Sequence, residues 1–450
     1  MTKEIKIRKG VNIKLKGKAD LVFAAAAPSA TFSIKPTDFH ELVPKLNVKV
    51  GDEVKAGSIL FEDKYHPRIK FTSPVSGEIV DIVRGEKRRL LEIKILPDKD
   101  IRYENFAAGD PNKMSGEEVK NTLLQAGFWS MIRQRPYDVI ANPEKKPKAI
   151  FISTFNSAPL APDYDFIVHG QGDIFQTGLD AVAKLTEGKV HLNVCSDVKS
   201  SGVFTHSKNV QVNHVSGPHP AGNVGVQIHH IDAINKGETV WYLNPQDVLA
   251  IGRFFKEGKF DATRIIAVTG SAVKKPRYYR TLIGACIKEF LKDNVEGGNL
   301  RYISGNILTG TKINPDGHLG FYDDQITVIP EGDKSEFMGW LTPGFEKFSI
   351  SRTFFSWLNK NKEYSLDTNL HGEERPFVMT GQYEEVFPMN VYPQHLLKAI
   401  IVGDLELMEN LGIYEVAPED FALCEFICTS KINSQEIVRK GLDYVRKECG

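Results

Sequence analysis

Val48-Lys-Val-Gly-Asp-Glu-Val-Lys-Ala-Gly-Ser-Ile-Leu60 places Val48, Val50, Val54 and Leu60 on short strands, with Gly51 and Gly57 at the turns. Ser73-Pro-Val-Ser-Gly-Glu-Ile-Val80 repeats the device: a Pro/Gly turn feeds a strand, and Arg84-Gly-Glu-Lys-Arg-Arg-Leu-Leu-Glu-Ile93 follows it. Residues 38–96 therefore read as a small all-β unit. Upstream, Ile5 and Ile7, then Val11, Ile13 and Leu15, alternate with a period of two. That predicts strands, and it excludes the 3.6-residue period of a transit peptide.

These turns resemble those of the biotinyl/lipoyl carrier fold, in which V-G-D-x-V-x-x-G and S-P-x-x-G bracket a modified lysine. Glu62-Asp63-Lys64 matches the lipoyl version. However, Lys64 lies nine residues before Ser73, a longer stretch than a carrier hairpin allows, and Pro67 intervenes. The expectation is the carrier scaffold without its prosthetic group.

A chain of 450 residues fits about three domains. Lys+Arg and Asp+Glu are both 57, a zero formal charge that argues against a nucleic-acid binder. The apolar run Leu21–Ala27 stops at Pro28, well short of the roughly 18–20 residues that span a bilayer. The start, Met1-Thr-Lys-Glu-Ile-Lys-Ile-Arg8, has no apolar core of a secretory signal. Cysteines at 195, 286, 424, 428 and 449 are odd in number and scattered, so no disulfide framework is expected. The chain is expected in the cytoplasm or on the cytoplasmic face of a membrane.

Ser115-Gly-Glu-Glu118 is a capping box, opening a helix with Val119, Leu123, Leu124 and Phe128 on one face. Strand-like Ala149–Thr154, helix-like Gly178–Leu185 and strand-like Val190–Val194 give an α/β middle unit. Arg264–Gly270 opens a third unit. There a helix over Thr281–Leu291 and strands at Arg301–Ser304, Ile307–Lys312 and Gln325–Ile329 suggest a β-grasp module. After Ile350 the chain reads as mostly helical: Leu396, Leu397, Ile400 and Ile401, then Ile437, Leu442 and Val445, recur at helical spacing.

The chemistry-bearing motifs are notable for what they lack. Neither G-x-G-x-x-G nor G-x-x-x-x-G-K-[ST] occurs, and Gly170-Gln-Gly172 is only G-x-G. The nucleophile elbow G-x-S-x-G is absent too. Ferredoxins wrap an iron–sulfur cube with C-x2-C-x2-C-x3-C-P. In this chain such a frame holds Phe377, Thr380, Tyr383 and Phe387 before Pro388. A second frame holds Pro418, Phe421, Cys424 and Cys428, so aromatic side chains stand where the thiolates would. Cys424 and Cys428 could still ligate a metal shared with another chain, although core packing is the expected role. His206, His214, His219, His229 and His230 lack H-E-x-x-H or a carboxylate at i, i+4, and are expected to shape loops.

Across essentially its whole length the chain resembles the family of A subunits of bacterial Na+-translocating NADH:quinone oxidoreductases. The match rests on Phe71–Gly77, Arg84-Gly-Glu-Lys-Arg88, Ala158-Pro-Leu-Ala-Pro-Asp163, Gly217-Pro-His-Pro-Ala-Gly222 and, most specifically, Leu411-Gly-Ile-Tyr-Glu-Val-Ala-Pro-Glu-Asp-Phe-Ala-Leu-Cys-Glu-Phe426. The family is similar to the C subunit of Rnf-type complexes and to the flavin subunit of respiratory complex I. Those relatives carry a glycine-rich flavin/NADH loop after an Ala-Gly helix end. Here Ala126-Gly127 is followed by Phe-Trp-Ser-Met-Ile-Arg-Gln-Arg-Pro-Tyr137, bulky residues that keep a backbone away from a pyrophosphate.

The resemblance implies a multidomain α+β chain with four parts. Residues 1–105 would form a barrel-sandwich, biotinyl/lipoyl-like β domain with N-terminal strands. Residues 106–258 would form an α/β Rossmann-like domain without the Gly-rich loop, and 259–345 a β-grasp domain of the soluble-ligand-binding type. Residues 346–450 would form a helical, ferredoxin-like part without clusters. It also implies a peripheral subunit of a respiratory Na+ pump that binds no redox cofactor itself, with NADH, flavins and Fe–S clusters on other subunits. Other subunits and ubiquinone are the expected partners, and membrane contact would run through those subunits on the cytoplasmic face of the inner membrane. A quinone ring needs flat aromatic contacts and donors for its carbonyl oxygens. Phe128, Trp129, Arg133 and Tyr137 offer both, with Phe32-Ser-Ile-Lys-Pro36 as a second segment. The competing readings are a self-sufficient flavin/NADH oxidoreductase and a carrier modified on Lys64.

Overall fold

The computed structural model describes residues 3–333, 336–339 and 341–450. It is a multidomain α+β chain built around four sheets. Among the described residues, no helix is long and apolar enough to cross a membrane.

Near the N-terminus, Phe32–Ile34, Leu90–Pro97, Gly77–Arg84 and Glu53–Val54 form one antiparallel sheet. Pro44–Leu46, Ile59–Asp63 and Lys70–Thr72 form a second. Val54, Leu60, Phe61, Phe71, Ile79, Ile93 and Ile95 share one core, as the alternation requires. Val50 departs from expectation: it precedes the Gly51 turn and is exposed. Lys64 starts the exposed connection between Ile59–Asp63 and Lys70–Thr72.

The largest sheet has seven strands in the order Glu4–Lys6, Gln211–Ser216, Lys189–Cys195, Ala149–Ser153, Val240–Leu243, Arg133–Arg135, Val139–Ile140. The first five run parallel; Arg133–Arg135 is antiparallel to Val240–Leu243, and Val139–Ile140 antiparallel to Arg133–Arg135. From Ala149–Ser153 the chain steps outward to Lys189–Cys195 and Gln211–Ser216. It then returns to the other flank of Ala149–Ser153 as Val240–Leu243, so the strand order reverses between these two. In open α/β sheets, ligands sit beyond the carboxyl ends of the strands at such a reversal. Helices Gly172–Ala183 and Pro245–Glu257 pack together where a Cβ on Gly178 would meet the Val248 carbonyl oxygen at 2.1 Å.

A six-stranded mixed sheet runs Thr311–Ile313, Leu300–Ser304, Gln325–Pro330, Thr263–Thr269, Arg277–Leu282, Asp20–Ala24. The helix expected over Thr281–Leu291 is reduced to Lys288–Leu291. Tyr278, Tyr279 and Thr281 instead extend an antiparallel ladder on Thr263–Thr269, where aromatic and β-branched residues pack well. Of the expected strand Ile307–Lys312, only Thr311–Ile313 pairs. The first 24 residues supply edge strands to two distant sheets, through Glu4–Lys6 on Gln211–Ser216 and Asp20–Ala24 on Arg277–Leu282.

The C-terminal part becomes helical only from Tyr383–Val386 onward, through Pro393–Val402, Leu405–Asn410, Ala422–Ile427 and Ser434–Cys449. Residues 351–382 are mostly irregular, with one helical turn at Phe355–Leu358. Leu396, Leu397, Val438, Leu442 and Val445 form its core together with Ile7, Ile13 and Leu15 from the far end of the chain. Ile401 faces outward. At the ferredoxin-like frames, the rings of Phe387 and Phe421 lie 4.9 Å apart and those of Phe377 and Tyr383 5.9 Å apart, with Cys424 and Cys428 buried in the same core.

Candidate functional site: an arginine between two tyrosines

The site grows from the segment after the capping box. Ser115 Oγ accepts from Glu118 N, and Glu118 Oε2 accepts from Ser115 N at 2.7 Å, which starts helix Gly116–Ala126. Gly127 ends it in a left-handed conformation, φ 81°, where a Cβ would come within 2.6 Å of the Thr72 side chain. A helical turn, Phe128–Met131, then leads into strand Arg133–Arg135, which is antiparallel to Val240–Leu243.

The four residues singled out from sequence do not gather in one place. Phe128 is fully buried, with its ring 4.7 Å from both Phe254 and Phe260. Trp129 is fully buried edge-on to Trp241 at 5.3 Å, and its Nε1 donates to the Ala141 carbonyl at 2.7 Å. Both rings are wedges between elements. Tyr137 is buried against Tyr414 of the C-terminal part, at 6.3 Å, with the Arg446 guanidinium 5.8 Å away.

Arg133 is the member that faces open space. Its guanidinium lies between two rings, 5.0 Å from Tyr242 and 4.8 Å from Tyr322. Its Nη2 pairs with Asp138 Oδ1 at 2.6 Å, and the Tyr242 hydroxyl donates to the same oxygen. The Tyr322 hydroxyl donates to the Ser130 carbonyl at 2.7 Å, fixing the second ring. Burial opposes the charges here, but the pairing wins: Asp138 is held down to about 2, chiefly by Arg133 and Arg135, and Arg133 stays well above its usual value. Burial drives the Tyr242 and Tyr322 hydroxyls upward, so both stay protonated.

Two cavities, each of about 150 Å³, share Arg133 and Tyr322 as a wall. The first opens at the strand-order reversal, among Ser153, Tyr164, Tyr242 and Asn244, and is edged by Glu419. Asn244 Nδ2 donates to the Tyr164 hydroxyl at 2.6 Å, and that hydroxyl donates to Asp324 Oδ2 at 2.6 Å. Burial lifts Asp324 to about 6; partial burial and the neighbouring Asp420 carboxylate raise Glu419 against the pull of Arg135. The second cavity is lined by Asp38, Phe39, His40 and Arg439. The second sequence segment leads into it: Phe32–Ile34 is a buried strand, Lys35 Nζ donates to the His318 carbonyl at 2.5 Å, and Phe39 meets Tyr322 edge-on at 5.7 Å. A larger apolar cavity of about 1020 Å³ opens among Phe345, Phe348, Phe354, Phe426 and Ile432, and it includes none of the residues singled out for the ring.

Sequence reasoning missed Tyr242, Tyr322, Asp138 and Glu419. Asp138 lies just beyond Tyr137 and meets Arg133 across a local hairpin, whereas Tyr242, Tyr322 and Glu419 come from distant stretches and reach Arg133 only through the fold. The histidines are engaged elsewhere: His219 Nδ1 with Ser157 Oγ at 3.0 Å, His229 Nδ1 with Glu415 at 2.6 Å, and His230 Nε2 with the Pro388 carbonyl at 2.9 Å. Among the described residues, His40, Glu41 and Asp443 form the one group with metal-like spacing. Arg439 and Arg446 already neutralise its two carboxylates.

Comparison with known proteins matches residues 5–98 to the NqrA N-terminal barrel-sandwich hybrid domain. Residues 114–260 match the NqrA second alpha/beta domain, and 265–314 the NQRA C-terminal domain. The A subunit of the Na(+)-translocating NADH-quinone reductase from Neisseria meningitidis serogroup A is 38% identical over 99% of this chain and 100% of the relative. The proteins of the same name from Rhodopirellula baltica (98% of each chain) and Yersinia pestis (99% of this chain, 100% of the relative) are each 37% identical. A solved NAD+-reducing [NiFe]-hydrogenase overlaps at TM-score 0.38 and 11% identity, over 75% of this chain and 65% of that one, which is too distant to speak to function.

Proposed function

The chain belongs to the NqrA family, the A subunits of the Na+-translocating NADH-quinone reductase, and on that premise we propose that it brings quinone to the Arg133 crevice of the pump. As a member it is one subunit of a translocase in the respiratory chain that couples NADH-quinone reduction to sodium transport, with the other subunits as its partners.

The observation that carries the quinone reading is the Arg133 guanidinium held between Tyr242 and Tyr322 at the strand-order reversal. A quinone ring is flat, apolar on its faces and acceptor-rich at two edges, so it stacks on tyrosines and takes hydrogen bonds from a guanidinium. The Arg133 and Glu419 side chains retain 29% and 34% exposure, which leaves an entrance from solvent or from a partner surface. Withdrawal of Arg133 would merge the two cavities into a space suited to a ring. Phe128 and Trp129 then act as the packed floor that holds strand Arg133–Arg135, and Tyr137 ties the site to the C-terminal part.

The finer assignments belong to the same proposal. The unit at 106–258 is Rossmann-like, 259–345 is a β-grasp unit, and the helical end descends from a ferredoxin-like domain. Ubiquinone is the quinone, while flavins, Fe–S clusters and the NADH site lie on other subunits. The subunit sits on the cytoplasmic face of the inner membrane.

Kinetics of the assembled complex test the reading. Tyr322→Leu removes one stacking face and should raise KM for quinone several-fold while NADH oxidation with an artificial acceptor is unchanged. An unchanged KM in a correctly assembled variant contradicts it.

A further inference from the structure

The Arg84–Arg89 turn has no part in the Arg133 site, yet three of its arginines line one pocket. It joins strands Gly77–Arg84 and Leu90–Pro97. Lys87 and Arg88 take the two left-handed positions, at φ 52° and 61°, of a tight two-residue hairpin turn in which Arg89 N donates to the Glu86 carbonyl at 3.0 Å. Arg84 Nη1 donates to the Arg88 carbonyl at 3.2 Å and so braces the turn.

Beneath the turn lies a cavity of about 330 Å³. Arg84, Arg88 and Arg89 line its rim, while Leu42, Leu46 and Leu90 contribute an apolar floor. All three arginines are exposed, and among the described residues none of them is paired with a carboxylate. The setting differs from the arginines at 68, 102 and 439, each of which is matched by an acid. Three guanidinium groups without carboxylate partners on the rim of one apolar pocket suit one chemistry: an oxyanion that can be held by several N–H donors, joined to a group that prefers to leave water.

We infer that this pocket binds a phosphate group, most favourably one esterified to an apolar body. Guanidinium forks grip the phosphate oxygens, and the leucine floor receives the adjoining chain. The inference stands apart from the quinone reading. Two sources share the chemistry, a phospholipid headgroup and free phosphate, and the test separates them.

The full chain is compared with a triple variant, Arg84→Gln/Arg88→Gln/Arg89→Gln. A control of equal charge change, Lys18→Gln/Lys199→Gln/Lys292→Gln, alters exposed lysines elsewhere. Cosedimentation uses phosphatidylcholine vesicles with and without phosphatidylglycerol, and calorimetry uses inorganic phosphate. Three basic side chains at an anionic surface predict about a hundredfold loss of vesicle affinity in the arginine variant, with little change in the lysine control. That result assigns the pocket to a lipid headgroup. Loss confined to the calorimetric arm assigns it to free phosphate. Equal behaviour of the two variants in both arms overturns the proposal. So does a defect of the arginine variant seen only in assembly with partner subunits, which would make the rim a surface for acidic protein.

Discussion

Arg135 Nη1 donates to Asp420 Oδ2 at 2.9 Å, and neither side chain reaches solvent. Arg135 Nη2 continues to Glu419 Oε1 at 2.6 Å. A Cβ on Gly225 would lie 2.7 Å from Asp420 Oδ1, so the helix bearing Gly225 must approach this pair closely. One arginine from the seven-stranded sheet thereby fastens the helical C-terminal part beside the Arg133 crevice.

Breaking that pair should be costly. Arg135→Met leaves the buried Asp420 carboxyl without its partner, and should lower stability by about 3–5 kcal/mol. Chemical denaturation followed by fluorescence measures this. Arg135→Met/Asp420→Leu should recover part of the loss, because the fully buried carboxylate is removed with its partner and the remaining Glu419 reaches solvent.

Trp129→Ala should cost about 3–5 kcal/mol, the usual range for deleting a fully enclosed indole. The milder Trp129→Phe, where the complex still assembles, should leave quinone KM unchanged, since the ring touches protein on all sides. A large KM effect in a stable Trp129→Phe complex would return this residue to the site.

Gly127→Ala should destabilise by at least about 1 kcal/mol through its left-handed backbone alone, and further through contact with Thr72. A thermal shift assay on the purified chain reads the effect.

Asp324 gives a pH signature. Burial raises its folded pKa from 3.8 to about 6, so between these values the folded state holds the proton more tightly than the unfolded chain does. Its contribution to stability therefore falls as pH rises through that window and levels off above about 6. Asp324→Asn removes the titration. The variant should match the wild type near pH 4 and exceed it by about 2–3 kcal/mol above pH 6, measured by denaturation at each pH.

These residues also show what could be read from sequence. The capping box at Ser115, the strands at Ala149–Ser153 and Lys189–Cys195 and the β unit around Gly51 and Gly57 were legible, because each is fixed by local periodicity or a single turn residue. The Thr281 helix was not, since pairing with Thr263–Thr269 outweighs the local pattern. Nor was the long-range pairing of Asp20–Ala24. At the site, Arg133 was legible as a polar residue among aromatics. Its sandwich was not, because Tyr242 and Tyr322 reach it only through the order of strands and the docking of a second sheet. Phe128 and Trp129 looked like ring-stacking residues because sequence reports chemistry and not which face is already covered.

Photo-crosslinking of a quinone analogue to the assembled complex, followed by peptide mapping, tests the Arg133 crevice most directly. Labels are expected on this chain in the peptides containing Arg133, Tyr242 or Tyr322, with their loss when unlabelled quinone competes. Labels found only on other subunits, or on this chain only at the Phe345–Phe354 cavity, would contradict the Arg133 assignment.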